Sequence, residues 1–391
     1  MKTKIIGSID THRPEMLGLL KELVLVQSGS ANKAGVDRVG RIIASKLSDL
    51  SLSVRGERQE SLGDILVAST ERAGERGNIL LIGHMDTIFP ADSPFTGWRE
   101  DEKNVYGPGV IDMKGGLVAA IYVLQSLFDA GLLHRMPLRI IFNSDEEIGS
   151  PASGPIIARE AKKSAMAFVF ECGGLNGEVA TGRKGRLGLK LLVKGRAGHA
   201  AQTEGGKISA ALELAHCIIA LEALNGKVPG LTVNVGRLAG GIAPNVVPEE
   251  AWALVDVRFK SSEGRSFFES YLKELVQKSC VAGARKDVEI INERHVMEST
   301  ETNRALYRLV AGEAQGLGIT VLEEFRVGCS DANIVAQEGT PVLDGLGPVG
   351  DYDHSDREFM IRESLFERTK LAALSVHQAW LKLQEGSLFN T

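Results

Sequence analysis

Apolar residues recur at helical spacing over residues 16–26 and 36–50 and predict two amphipathic helices. Asn78-Ile79-Leu80-Leu81-Ile82-Gly83 is a short, nearly continuous apolar run, the pattern of a strand buried on both faces. Residues 117–130 read as a helix, with Gly115-Gly116 before it and Gly131 as its stop. Residues 138–142 and 165–170 are two more strand-like runs. Short buried strands alternating with helices predict a mostly parallel sheet with helices on both faces.

The pattern changes after about Arg183. Leu187, Leu189, Leu191 and Val193 alternate, as do Leu231, Val233 and Val235. That period marks half-buried strands. Further strands are expected over 250–259 and 288–291, and helices over 207–224 and 265–282. The order strand, helix, strand, strand, helix, strand is that of a ferredoxin-like α+β unit. From about Thr300 the α/β pattern returns, with helices over 303–317 and 363–383 and a strand over 341–346. The predicted organisation is therefore one α/β domain, residues 1–184 and 300–391, interrupted by an insertion over 185–299.

Composition narrows the function classes. The 391 residues are 43% hydrophobic and 24% charged, with 45 Lys plus Arg against 50 Asp plus Glu. A net charge of −5 argues against nucleic acid or an anionic membrane surface as partner, since both favour a basic face. No apolar run is read as approaching the roughly 20 residues that span a bilayer. The start, Met1-Lys2-Thr3-Lys4-Ile5-Ile6, carries only two consecutive apolar residues and does not read as a signal peptide. The four cysteines, Cys172, Cys217, Cys280 and Cys329, form no C-x-x-C pair and are expected to be reduced and mostly buried. A cytoplasmic location is the expectation.

The chemistry gathers behind the predicted strands. Residues 79–83 run into His84-Met85-Asp86, 138–142 into Glu146-Glu147, 165–170 into Glu171, and 341–346 towards His354. Asp112 immediately precedes the helix at 117. In a parallel sheet such strand ends share one edge, where α/β proteins bind ligands. Two histidines and three carboxylates would then converge: His84, Asp112, one of Glu146 and Glu147, Glu171 and His354. Converging carboxylates repel in an apolar crevice, and divalent cations remove the conflict. The set suits a metal pair, one histidine on each and one carboxylate between. The spare glutamate would serve as general base, and Asp86 would orient the imidazole of His84.

The motifs Gly83-His84-Met85-Asp86-Thr87, Tyr106-Gly107-Pro108-Gly109-Val110-Ile111-Asp112-Met113-Lys114-Gly115-Gly116 and Ser144-Asp145-Glu146-Glu147-Ile148-Gly149-Ser150 resemble those of the M20 dinuclear metallopeptidases and deacylases, in particular the glutamate carboxypeptidase branch. Gly240-Gly241, Pro244-Asn245-Val246-Val247-Pro248, Asp256-Val257-Arg258 and His354-Ser355-Asp356 match as well. The resemblance implies that Asp112 bridges the metals, often with a cis peptide after it. It gives His84 and Glu171 to one metal, Glu147 and His354 to the other, and makes Glu146 the base and Asp86 the carboxylate that orients His84. The insertion would be a dimerisation and lid domain. His199, in Gly195-Arg196-Ala197-Gly198-His199-Ala200, would reach the neighbouring subunit's site and steady the carbonyl oxyanion. The family's Pro-Glu-x-Gly-x-Asn stretch is replaced here by Gln202-Thr203-Glu204-Gly205-Gly206-Lys207. Asn245, Arg258, Arg294 and the Gly328-Cys329-Ser330-Asp331 turn would hold a substrate carboxylate. For Arg294 the flanking Glu293 and His295 depart from the family pattern, as Cys329 does where relatives often carry Gly.

The activity so implied is metal-dependent amide hydrolysis by a homodimer. A metal-held hydroxide attacks, a glutamate moves the proton, and an amino acid leaves a small peptide or N-acyl amino acid; C-terminal glutamate is one such product. The cofactors are two divalent ions, zinc first, with cobalt or manganese as alternatives. The rival activities are acetylornithine deacetylase, succinyl-diaminopimelate desuccinylase, aminoacylase and di- or tripeptidase. A mononuclear enzyme and a catalytically silent metal-binding scaffold complete the alternatives.

Overall fold

The computed structural model describes residues 1–201 and 206–389. Residues 202–205, where the sequence departs from the family's histidine stretch, lie outside the described residues. The chain forms two compact units. One comprises Met1–Gly182, Ser299–Arg326 and the residues from Ser330 onward. The other comprises Arg183–Glu298 with Val327–Cys329, three residues that the sequence places with the outer segments.

The first unit is built on a six-stranded sheet in the order Ser53–Glu57, Ile65–Ser69, Leu138–Asn143, Asn78–His84, Ser164–Val169, Val342–Leu343. The last four strands run parallel, and the first two form an antiparallel edge. Every residue of Asn78–His84 is buried. Ile79 and Leu81 join a cluster with Leu117, Leu124 and Leu374, while Leu80 and Ile82 are fully buried outside it. Both faces of the strand are covered, which is why its sequence is a continuous apolar run rather than an alternating one.

The helix Gly115–Asp129 packs against the C-terminal helix Arg362–Glu385 and the N-terminal helix Lys2–Thr11. Its end is set by Gly131, whose φ of 71° lets the chain turn back. Its start lies earlier than the sequence pattern places it. The glycine pair lies inside the helix, because a Cβ on Gly116 would overlap the carbonyl oxygen of Phe170. The stretch Val110–Asp129, though broken by Asp112 and Lys114, is long. Its 20 residues would suffice by length and composition to cross a membrane, yet most of them are buried inside the protein. It is a core helix. Because the helix backbone rests directly on the strand end that leads to Glu171, Gly116→Ala should destabilise the fold by about 1–3 kcal/mol through overpacking. Urea unfolding measures this, and an unchanged midpoint would contradict the packing described.

The second unit has a four-stranded antiparallel sheet in the order Thr232–Gly240, Glu250–Phe259, Gly185–Lys194, Arg285–Arg294. With the helices Ala210–Glu222 and Ser262–Gln277 this is the predicted ferredoxin-like arrangement. The cysteines differ from expectation: Cys217 is buried, Cys172 and Cys329 are half-buried and Cys280 is exposed.

Candidate metal centre

Three neighbouring parallel strands deliver the first candidate side chains. His84 is the last residue of Asn78–His84 and lies in register with Asn143. Glu146 and Glu147 follow Asn143 in a turn closed by the Gly149 and Ser150 amides, which donate to Glu146 O and Asp145 O at 2.7 Å each. Glu171 comes two residues after the strand Ser164–Val169, held there by the Phe170 amide donating to Ile82 O at 3.0 Å. Asp112 sits in the loop before the core helix, and its peptide bond to Met113 is cis. His354 lies between the short strands Gly350–Asp351 and Phe359–Ile361, with φ at 61°.

These distant segments meet at Asp112. His84 Nε2 lies 3.0 Å from Asp112 Oδ1, and His354 Nε2 lies 3.1 Å from Asp112 Oδ2. Glu171 Oε1 is 3.6 Å from His84 Nε2, and Glu147 Oε2 is 3.2 Å from His354 Nε2. Ligating atoms of His84, Asp112 and Glu147 all fall within 4.8 Å of one another, as do those of Asp112, Asp353 and His354. Asp353 is a residue the sequence pattern does not single out. His84 is buried, whereas the side chain of His354 is 53% exposed, so the cluster opens on the His354 side.

The electrostatics record the crowding of charge. Burial pulls the His84 imidazole towards its neutral form, but Asp112, Asp86 and Glu171 outweigh it and hold the pKa well above 6.5. Hydrogen bonds to Asp112 and Glu147 lift His354 to about 11. Burial opposes ionisation of Asp112, yet the two imidazoles keep it well below the usual carboxylate range. Burial and the Asp112 charge push Glu147 up to about 7. Half-buried Glu146 is raised well above the usual range by burial, then by Asp331.

Asp86 supports more than one element. Its main-chain oxygen is 3.0 Å from His84 Nδ1, closer than its carboxylate at 3.4 Å. The carboxylate accepts from Ser30 Oγ at 2.7 Å and from the amides of Glu146 and Glu147 at 3.2 Å each. It therefore ties the glutamate turn to the histidine strand. Buried Asp331 accepts from Asn143 Nδ2 and, at 2.6 Å, from Ser150 Oγ, holding the same turn from the other side. Buried Glu358, also missed in the sequence, accepts from the amides of Gly109, Ile111 and Asp112. Burial pushes its carboxyl up to about 8 against those three donors.

A model of peptidase family M20/M25/M40 matches residues 80–378. The chain belongs to this family. M20 membership places it among peptidases and related amide hydrolases. One M20 relative, carboxypeptidase G2 of Pseudomonas sp. (strain RS-16), is 27% identical over 370 residues, spanning 92% of this chain and 88% of its own. The succinyl-diaminopimelate desuccinylase of Nitrosococcus oceani is 26% identical over 370 residues, with 88% and 93% covered. Among solved structures, the Bacillus subtilis YXEP protein, a dinuclear metal-binding M20 peptidase, superposes with a TM-score of 0.71 at 15% identity, over 95% of this chain and 99% of its own.

The remaining sequence candidates lie in the inserted unit or at its border. His199 is exposed and bridges to Val246, and the Ala200 amide donates to Asn245 O at 2.9 Å, so the His199 and Asn245 motifs form one loop pair. Arg258, Arg186 and Arg294 stand abreast on three adjacent strands. Arg186 Nε and Arg258 Nε both donate to Asp256, at 2.6 and 2.9 Å. Like other isolated arginines, Arg186 carries no spacing signal in the sequence. Gly328 is exposed, and its carbonyl accepts from Arg183 Nη1 at 3.1 Å. The helix after it begins only at Ala332 and is 6 residues long.

Proposed function

We propose that the chain is a dinuclear metal-dependent hydrolase that releases an amino acid from a small peptide or N-acyl amino acid. The observation carrying this reading is the meeting of two imidazoles on the Asp112 carboxylate, with Glu171 beside one and Glu147 beside the other, and Glu146 in the adjoining turn. The donor set fits divalent cations: mixed nitrogen and oxygen ligands, partly buried, whose like charges in the bare chain are balanced by protons on His84, His354 and Glu147. His84 and Glu171 would hold one ion, Glu147 and His354 the other, and Asp112 both. Zinc is the first choice, with cobalt and manganese next. When bound, such a pair supplies Lewis-acid activation of water and of the scissile carbonyl.

The chain's own groups supply the proton chemistry. Glu146 takes a proton from the attacking water and delivers it to the leaving nitrogen, so that water is added across the C–N bond. Asp86 and Asp331 hold the turn that aims it. His199 donates to the developing oxyanion, contributing about 2.7–4 kcal/mol in the manner of such donors. Arg258, Arg294 and Asn245, with the Gly328 turn, hold the substrate carboxylate, and the row Arg258–Arg186–Arg294 favours an acidic product such as glutamate. The desuccinylase relative favours a second reading, removal of an N-acyl group. Amine release should be screened over N-acyl amino acids, dipeptides and tripeptides with each metal loaded separately. Turnover confined to substrates with a free carboxylate beside the scissile bond is expected. No hydrolysis with both metals bound would leave the silent scaffold.

Loading must displace protons, because the metal binds the deprotonated ligands. A ligand with a raised pKa holds its proton more tightly, so affinity should rise as pH climbs through about 7, where Glu147 loses its proton. Calorimetry in buffers of different ionisation enthalpy should count more protons released at pH 6 than at pH 8. An affinity independent of pH across that window would contradict the assignment.

The same proposal includes a homodimer formed through the inserted unit, and a cytoplasmic location. The edge strand Thr232–Gly240 has an open side, and Leu212 and Ile219 of the neighbouring helix are 52% and 70% exposed. Ile219→Asp should convert a dimer to monomer in light scattering and lower turnover, because His199 serves the partner. A wild-type monomer with full turnover would rule this out.

A further inference from the structure

We propose that Glu358 is a positioning residue: its carboxylate clasps the loop that carries Asp112 to the loop that carries His354, and so sets the spacing of the proposed metal centre before any ion binds. This rests on the metal reading above. The two loops leave a common base. The strand Phe359–Ile361 pairs with Asn104–Tyr106, Phe359 lying opposite Tyr106. Chain upstream of Phe359 runs through Glu358 to His354, and chain downstream of Tyr106 runs through Gly107 and Gly109 to Asp112. Beyond that base the Glu358 side chain crosses from one loop to the other. Its Oε2 accepts the Gly109 amide at 2.9 Å, and its Oε1 accepts the Ile111 amide at 2.9 Å and the Asp112 amide at 3.1 Å. Glu358 is fully buried.

Three convergent backbone donors in a buried loop each need an acceptor. A carboxyl group on a long enough stem brings two oxygens to all three. A glutamine at this position has one oxygen and turns a donor towards at least one amide; an aspartate is a methylene too short. One of the clasped amides is that of Asp112 itself, and Glu358 is only four residues from His354. The 3.1 Å contact between Asp112 Oδ2 and His354 Nε2 is therefore fixed from both ends by one side chain.

The test uses the full chain titrated with cobalt(II). Wild type should bind two equivalents with visible d–d bands. Glu358→Gln should remain folded by circular dichroism, yet bind cobalt on the order of 10–100-fold more weakly, as loss of a supporting partner does, with shifted bands. Glu358→Asp should change in the same direction if the glutamine variant does not fold. Wild-type affinity and bands in a folded variant, whatever its melting temperature, would reduce Glu358 to a fold-stabilising residue and overturn the proposal. Hydrogen exchange needs no variant: in chelator-treated wild type the Gly109, Ile111 and Asp112 amides should stay protected, and rapid exchange there would also overturn it. A wild type that binds no cobalt at all would instead remove the metal reading itself.

Discussion

Replacing Glu146 by glutamine should lower turnover by about 10²–10⁴-fold, the range of general acid–base catalysis, with both metals retained. The side chains that meet Asp112 at hydrogen-bonding distance are His84 and His354, with Glu171 and Glu147 beside them. Glu146 instead lies in the adjoining turn with its amide on Asp86. Glutamine keeps its length but cannot take a proton. The neighbouring substitution separates the pair: Glu147→Gln should lose the ion on the His354 side, since Glu147 Oε2 lies 3.2 Å from His354 Nε2. Metal content and kcat measured on both variants decide the division of labour. Undiminished turnover in the Glu146 variant would remove it as base.

Asp112→Ala should have the broadest effect. Both imidazoles contact its two oxygens, one each, so its loss leaves neither proposed ion with a complete ligand set. Metal content should fall below one equivalent and turnover to background. Serial dilution against a chelator, read by elemental analysis, checks this. A variant that kept both ions would show that the two halves of the centre are independent of Asp112.

What the sequence revealed and what it hid have physical reasons. The long buried strands and helices announce themselves by period, so Asn78–His84, Leu138–Asn143 and Gly115–Asp129 fall where the apolar runs lie. The strands Asn104–Tyr106, Gly350–Asp351 and Phe359–Ile361 are too short for any period and exist through their pairing. The predicted strand over 341–346 shrinks to Val342–Leu343, because Asp344 turns to accept from Ser330 Oγ at 2.6 Å and Gly345 takes a φ of 81°. The candidate cluster is legible because His84 ends a buried strand, Glu147 and Glu171 follow two more within a few residues, and Asp112 precedes the core helix. Glu358 was hidden because its partners are backbone amides, which leave no trace in side-chain spacing. The sequence puts Asp331 in an anion-binding turn, whereas its carboxylate is engaged by Asn143 and Ser150.

The most direct test of the central claim is anomalous diffraction at the metal absorption edge from crystals grown with zinc. The account predicts two peaks per chain, roughly 3.5–4 Å apart, both within bonding distance of the Asp112 carboxylate, one beside His84 and one beside His354. A single peak, or peaks bound away from Asp112, would contradict it.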